Sequence, residues 1–490
     1  MITIKKQIKL KNPPENYVRP IAAGTILGMQ LINGIIEAQS AVMLPQLSDE
    51  DSFITITTSQ ASWIASLGII ASPVSSVLCG PLMDFFGRKI ILQGYYLIAV
   101  IGFLIIAYAR EVSHLYAGRF VLSIANGFGV GTIVYLPEMC SQNHRSHLTA
   151  LLMPLFSLGS VTAFLVGGYL QWYIASAVYT LVSVVGFALC TYFTPESPCW
   201  LVNAGRFEEA KKSLLYLRDS SCRPSDIDTD IELIKMTRKC GINADLVETD
   251  SLVDLLEPTV WKPFFILVLF HFLQTGTGIY GLMYYTVDFF DDLRTAFDPL
   301  TVTILLSVAR LLMSSIFGTY CVTALDRRLM TALSGSLCGA SLLGAAFYEH
   351  SFKYTEAEQR LYTWIPVACI LINVLVCTIT VQPLPWLMTK ELFPLPVRGI
   401  MCGLTFFVGT FLVFLSVKYF VALLGYFGIP GALSFFSASS FLMCLFGVFV
   451  LPETNNKSRT EIVRSFTKNR LALYDLEREK EPLLKPPMTV

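Results

Sequence analysis

Ionisable side chains buried in apolar runs mark where this chain could do chemistry. Arg310 lies midway along one such run. A charge at bilayer depth costs roughly 2.5–3.5 kcal/mol or more and usually marks a pathway or a pair. His271 precedes Gln274 by one helical turn, so the two share a face, and an imidazole can titrate near neutral pH. Glu37, in the first apolar run, is either a partner for one of these cations or a residue of the outer rim. Arg310 is then a paired structural cation or a solute ligand, and His271 a satisfied core histidine or part of the same site. This is binding chemistry. No nucleophile–base pair, His-Glu-x-x-His or Walker-type Gly-Lys-Ser/Thr motif is present, so neither an enzyme nor a nucleotide-driven pump is indicated, and no cofactor is implied.

A second stretch, Pro383-Leu-Pro385-Trp386 running on to Glu391 and Pro394, closes an apolar run that begins near Trp364. Two prolines two residues apart remove backbone donors and predict a helix break. Broken backbone at membrane depth is tolerated only where it is buried in protein or lines a wet cavity. Trp386 beside the break can lie as a flat lid over that cavity. Glu391 and Arg398 flank the next turn, where a charge pair can latch two helices. Taken alone, the stretch also fits a Pro-kinked structural helix.

The elements that must position these residues follow from composition. Of 490 residues, 54% are hydrophobic and 15% charged, and mean hydropathy is +0.58. A soluble chain could not hide that much apolar surface, so this is a polytopic, all-α membrane protein. Zero net charge gives nucleic acid no electrostatic footing. The twelve cysteines include no Cys-x-x-Cys pair, so neither a disulfide framework nor a zinc site is suggested. Apolar runs of about 20 residues fall near 20–44, 60–83, 90–109, 115–137, 148–171 and 174–194, then near 263–290, 300–325, 329–349, 362–388, 398–424 and 430–451. These predict twelve transmembrane helices in two six-helix halves. The expected organisation is a tail 1–19, a bundle 20–194, a linker 195–262, a bundle 263–451 and a tail 452–490.

The positive-inside rule orients the chain. Arg88, Lys89, Arg145, Arg327, Arg328 and Arg398 fall on one side, Asp49, Glu50, Asp51, Asp288, Asp291 and Asp292 on the other, so both termini are expected in the cytosol. The linker carries helical apolar spacing over 204–218 (Phe207, Ala210, Leu214, Leu217) and 226–239 (Ile227, Ile231, Ile234), which predicts short amphipathic helices on the cytosolic face.

The two halves echo each other. Asp84 to Lys89 follows the second span and Asp326-Arg327-Arg328 the eighth; Glu138 with Arg145 follows the fourth and Glu391 with Arg398 the tenth; Pro195-Glu196-Ser197 follows the sixth and Pro452-Glu453-Thr454 the twelfth. A duplicated bundle places a substrate site near the midplane between the repeats. In this order the motifs, with Gly118-Arg119-Phe120 and Pro383-Leu-Pro-Trp386, resemble the sugar porters of the major facilitator superfamily, over about residues 20–455. Ala61-Ser62-Trp63-Ile64-Ala65-Ser66-Leu67 tilts the likeness toward insect facilitated trehalose and hexose transporters.

The resemblance implies facilitated diffusion of a hexose or trehalose by alternating access, with a non-transporting sensor on a carrier fold, or a carrier of anionic or less hydroxylated solutes, as alternatives. It implies a gating ion-pair lattice of Asp84, Arg88, Glu138, Arg145 and Glu196 in the first half and Glu391, Arg398 and Glu453 in the second. Cys199 stands where the family places an Arg, which predicts a weaker latch. Gln274 matches the family's sugar-binding amide, Tyr284 and Tyr285 its outer gate, and Trp386 its inner shield. Thr275, Tyr280 and Thr378 stand where relatives carry amides or an acid, so the expected solute site is Gln274, Thr275, Tyr280, Trp386, Thr378, Arg310 and His271, with bends at Gly276, Gly278, Pro383 and Pro385. The plasma membrane is the expected residence. Glu479 with Leu483 and Leu484 fits an acidic dileucine signal that would engage an endocytic adaptor and route the protein to endosomes or lysosomes.

Overall fold

In lipid every backbone polar group must be satisfied internally, and each apolar run accordingly forms a helix. The structure, a computed structural model, describes residues 15–49, 52–139, 148–217, 231–232, 258–294, 297–316, 325–355, 359–393, 398–455, 457, 461–462 and 466, without the side chains of 15–20, 137, 390, 398 and 399. Arg145, Glu479, Leu483, Leu484 and most of the predicted helix 226–239 lie outside these residues, as does the side chain of Arg398.

The first half comprises α1 (Glu15–Ser48), α2 (Thr58–Ile70) running into α3 (Ser72–Phe86), α4 (Arg88–Ala107), α5 (Val112–Phe128) with α6 (Gly131–Met139), α7 (Leu152–Tyr169) and α8 (Trp172–Phe193). Two short helices follow, α9 (Pro198–Asn203) and α10 (Phe207–Leu217). The second half holds α11 (Pro258–Gly276), α12 (Ile279–Tyr284), α13 (Thr286–Asp292), α14 (Pro299–Ile316), α15 (Arg327–Ser351), α16 (Trp364–Val376), α17 (Pro383–Leu392) and α18 (Arg398–Phe449). Among the described residues, ten helices are long and apolar enough to cross a membrane. The last of them contains two spans, because Gly428 (φ 68°, ψ 168°) breaks α18 ahead of Pro430. The broken α11–α13 supplies the twelfth. The all-α architecture is therefore the expected one, and with an even number of crossings the start of α1 and the end of α18 share one face, called here the terminal face.

Close backbone packing holds the first half together. A Cβ on Gly34 of α1 would stand 1.9 Å from the Phe156 carbonyl oxygen of α7, and one on Gly159 of α7 would stand 1.9 Å from the Leu31 oxygen of α1. Lipid tails offer no hydrophobic drive between helices, so close approach of small residues supplies the dispersion energy instead. α10 buries Ala210, Leu214 and Leu217 as its spacing requires, the first two in a small cluster with Ile231 and Leu217 in the main core. Phe207, expected on that face, is 43% exposed. This satellite is tied to the bundle by Ser213 Oγ donating to Glu196 O (2.6 Å) and Tyr216 Oη donating to Phe193 O (3.1 Å).

Two expectations about breaks are corrected in detail. Span 10 does not unwind at Pro383 and Pro385: it widens into a π-turn over Cys377–Val381, and Gln382 keeps helical angles into α17. Span 7 breaks fully, because Gly278 (φ +77°) lies in the left-handed region where a Phe436 ring carbon would meet any Cβ at 2.7 Å. Forcing bulk between α1 and α7 should cost about 3 kcal/mol: Gly159→Val is expected to lower the melting temperature of detergent-purified protein sharply, while Gly80→Ala, with nothing within 4 Å of its added Cβ, leaves it nearly unchanged.

Candidate functional site

Pro385 has no N–H, so the Val381 carbonyl four residues earlier loses its helical donor. The π-turn absorbs part of the mismatch, with Gln382 N donating to Cys377 O at 2.8 Å. The rest is met from span 7. Gln274 Nε2 donates to Val381 O (2.9 Å) and Gln382 O (3.1 Å), and Tyr280 Oη also accepts from it at 3.1 Å. Gln274 Oε1 lies 3.0 Å from His271 Nδ1, so Nδ1 is assigned the proton and Nε2 the lone pair. That Nε2 is buried with no hydrogen-bond partner. The His271 ring packs on Trp386 at 4.3 Å between centroids, and Trp386 stacks on Phe406 at 4.9 Å. The expected shared face of His271 and Gln274 is thus realised, but the Gln274 amide is engaged by the protein itself.

Arg310 comes from the adjacent span 8. Its Nε donates to Thr378 Oγ1 of span 10 at 3.3 Å, and Thr378 donates onward to Val374 O at 2.8 Å. Glu37, on span 1 of the opposite half, lies within electrostatic reach of Arg310 and of Tyr280 without forming an ion pair with Arg310. Glu37 is 8% exposed, and its Oε2 is buried and unpartnered. It belongs to the interior, not to the outer rim. Tyr280, Thr378, Gln382 and Trp386 each keep part of their surface uncovered. Thr275, expected to face solute, instead bonds back to His271 O (3.1 Å) and Phe272 O (2.9 Å) of its own helix. Tyr284 is buried, and Tyr285 stacks on Phe420 at 5.6 Å with its hydroxyl buried and unpartnered.

The charged motifs form two matching networks at the terminal face. In the first half, Arg88 holds Glu138 bidentately (Nε–Oε2 3.1 Å, Nη2–Oε1 3.2 Å) and reaches Asp84 at 3.0 Å. Glu196 caps α4 by accepting from the N–H groups of Arg88 (2.8 Å) and Lys89 (3.2 Å), and Ser197 Oγ donates to Glu138. In the second half, Glu453 accepts from the N–H groups of Arg327 and Arg328, both at 3.0 Å, so it caps α15 in the same way. Arg327 pairs with Glu391 at 3.3 Å, and Thr454 Oγ1 donates to Glu391. Each half therefore clamps an Arg between a helix-capping glutamate and the glutamate of its fourth span. Among the described side chains Glu391 pairs with Arg327, a partner the spacing argument had not named; the expected partner Arg398 has its side chain outside them.

A family model for sugar (and other) transporters matches residues 25–466. This chain belongs to the sugar transporter family of the major facilitator superfamily. It is 27% identical to the facilitated trehalose transporter Tret1 of Bombyx mori (87% of this chain, 83% of that one) and 28% identical to Tret1 of Culex quinquefasciatus (91% and 86%). Against the Drosophila yakuba Tret1, 26% identical, the chain spans about half of the relative's length, 52%. The inward-open xylose transporter XylE from E. coli shares the fold with TM-score 0.71 at 16% identity, over 92% of this chain and 99% of that one. XylE bound to 6-bromo-6-deoxy-D-glucose gives 0.68 at 18%, over 92% and 100%.

In this sugar-transporter-family protein several key residues escaped sequence reasoning. Arg119, quoted only as part of a motif, is fully buried and staples spans 1, 2 and 4 by donating to Ile36 O (3.0 Å), Ile64 O (3.1 Å), Gln39 Oε1 (3.3 Å) and Ser40 Oγ (2.6 Å). Lys418 of span 11 stands 3.7 Å over the Trp63 ring of span 2 and donates to Ser62 Oγ at 2.8 Å. On the terminal side of the buried cluster, Ser314 meets Ser157 at 3.3 Å. The halves therefore touch on both sides of the Arg310 level. No spacing rule joins residues 356 apart in sequence. A groove of about 420 Å³ lined by Trp63, Leu67, Tyr116, Ala117 and Phe120 lies on spans 2 and 4, away from this cluster.

Gln274→Leu should leave the Val381 carbonyl unpaired and cost about 1–3 kcal/mol, read as a lower melting temperature than that of Gln274→Asn or wild type. At Glu453, burial pushes the carboxyl up, but the N–H groups of Arg328, Asn455, Arg327 and Thr454 outweigh it and hold it below the usual glutamate range. That stabilisation is present above the ordinary glutamate value and is lost as pH falls through the lower, folded one. Glu453→Gln is expected to melt lower at neutral pH and to lose less on acidification to about pH 4.

Proposed function

We propose that the protein moves a small sugar-class solute across a membrane by alternating access, without external energy. One observation carries this reading: both halves contribute to a buried polar cluster, Glu37 from one and Tyr280, Arg310, Thr378 and Trp386 from the other, and the halves touch on each side of it. Parting the Ser62–Lys418 contact opens the cluster to one face, and parting Ser157–Ser314 opens it to the other. The Arg88 and Arg327 clamps sit where helix ends must move, and carboxylate–guanidinium pairs at such ends switch between paired and solvated states at modest cost. The broken span 7 and the π-turn in span 10 supply hinges beside the cluster. Trp386 shields the solute from the terminal face, and Tyr284 and Tyr285 shield it from the other. Charge distribution supports a cytosolic terminal face, and the plasma membrane is the proposed residence.

Hexose and trehalose are the first solutes to test, from the likeness to Tret1. Counterflow of labelled glucose and trehalose in proteoliposomes is expected to show exchange that Trp386→Ala reduces by about tenfold or more; solute bound without exchange would make the protein a sensor. Lys418→Met, removing about 1 kcal/mol of cation–π and hydrogen-bond closure, should raise labelling of a Tyr285→Cys variant by a membrane-impermeant maleimide about fivefold.

A further inference from the structure

We propose that the solute carries a carboxylate and that Arg310 is its anchor, a refinement that rests on the transport reading above. A guanidinium presents five N–H donors in a planar fork that matches a carboxylate bidentately. Arg310 is 4% exposed, and its one hydrogen bond among the described residues is from Nε to the neutral hydroxyl of Thr378. The two Nη groups, which together can form such a fork, meet no protein acceptor there. The carboxylate within electrostatic reach, Glu37, belongs to the other half and stops short of an ion pair, with its own Oε2 unpartnered. A cation and an anion thus face each other across the seam with neither neutralised by contact. Burying two charges this way is costly, and a ligand that satisfies both offsets the cost.

The polar groups left over define the rest of the ligand. Gln274, the amide suited to reading a neutral sugar hydroxyl, has its donors committed to Val381 O, Gln382 O and Tyr280 Oη. Among the described groups that bond to Gln274 or lie within electrostatic reach of Arg310, two acceptors are unpartnered, Glu37 Oε2 and His271 Nε2. Both call for hydroxyl donors. A solute with a carboxylate at one end and hydroxyls along its length meets this set: carboxylate on the Arg310 fork, hydroxyls donating to Glu37 and His271. That is a sugar acid, smaller in hydroxyl count than a disaccharide and anionic at neutral pH. Arg310 and Glu37 stay with the protein through the cycle, so each passage of such a solute carries its negative charge.

D-Glucuronate and D-gluconate are the probes, with D-glucose as the neutral match. Binding to the purified full-length protein, read by calorimetry or ligand-induced thermal shift, is expected to favour the acids over glucose by about tenfold or more. Arg310→Gln should erase that preference, so that on the variant the acids bind no more tightly than glucose does. Because the single variant strands Glu37 without a counter-charge, Arg310→Gln/Glu37→Gln is measured beside it and should lose the preference equally. Acids that bind no better than glucose, or a preference that survives in a folded Arg310→Gln protein, overturn the proposal. Glucose exchange in proteoliposomes without any preference for the acids would sink the anchor and leave transport standing. Arg310-dependent acid binding without exchange would do the reverse.

Discussion

The Gln274 amide bound to the Val381 and Gln382 carbonyls is the contact on which the site depends. A proline pair inside a membrane span strands backbone acceptors where no water can reach them, and each unmet carbonyl costs more than an ordinary hydrogen bond returns. Borrowing donors from span 7 removes that cost and fixes the broken span 7 against the widened span 10. Everything nearby inherits its position from this tie. His271 is oriented by the Gln274 oxygen, Trp386 by the His271 ring, and Thr378 by the π-turn, which in turn sets the level at which Arg310 enters. An amide that would otherwise read a hydroxyl has become part of the frame.

Symmetry at the terminal face expresses a different constraint. A helix beginning at the membrane edge has four unmet N–H groups, and in each half a glutamate from the end of the last span meets some of them: Glu196 at α4 and Glu453 at α15. The adjoining Arg is then free to clamp a second glutamate, Glu138 or Glu391. The same local problem, solved twice by duplicated sequence, yields two networks that can be compared atom for atom. The first is bidentate and includes Asp84; in the second, Asp326 precedes Arg327 directly and caps α15 with no side-chain hydrogen bond.

Much of this was legible in advance. Twelve apolar runs, the halfway interruption and the three echoed motifs led to the observed helices, because hydropathy and helix length are local quantities. The buried face of α10 followed from its spacing, as did the shared face of His271 and Gln274. Less visible was what each polar group would be used for. Thr275 and Gln274 both suit a sugar hydroxyl by type, yet one bonds to its own helix and the other to a neighbour's backbone. The π-turn at Cys377–Val381 left no sign in composition, since prolines alone do not reveal whether a helix breaks or widens.

Sequence by itself determined that the chain is a duplicated helical membrane protein of this family, and which spans carry charge. Tertiary structure alone decided which charges meet. Arg310 and Glu37 are separated by most of the chain yet share one seam, Lys418 finds Trp63 across the halves, and Arg119 ties three spans through backbone carbonyls that any residue could offer. The reason is physical. A helix follows from residues a few positions apart, whereas a buried donor takes whatever acceptor the packed neighbour presents.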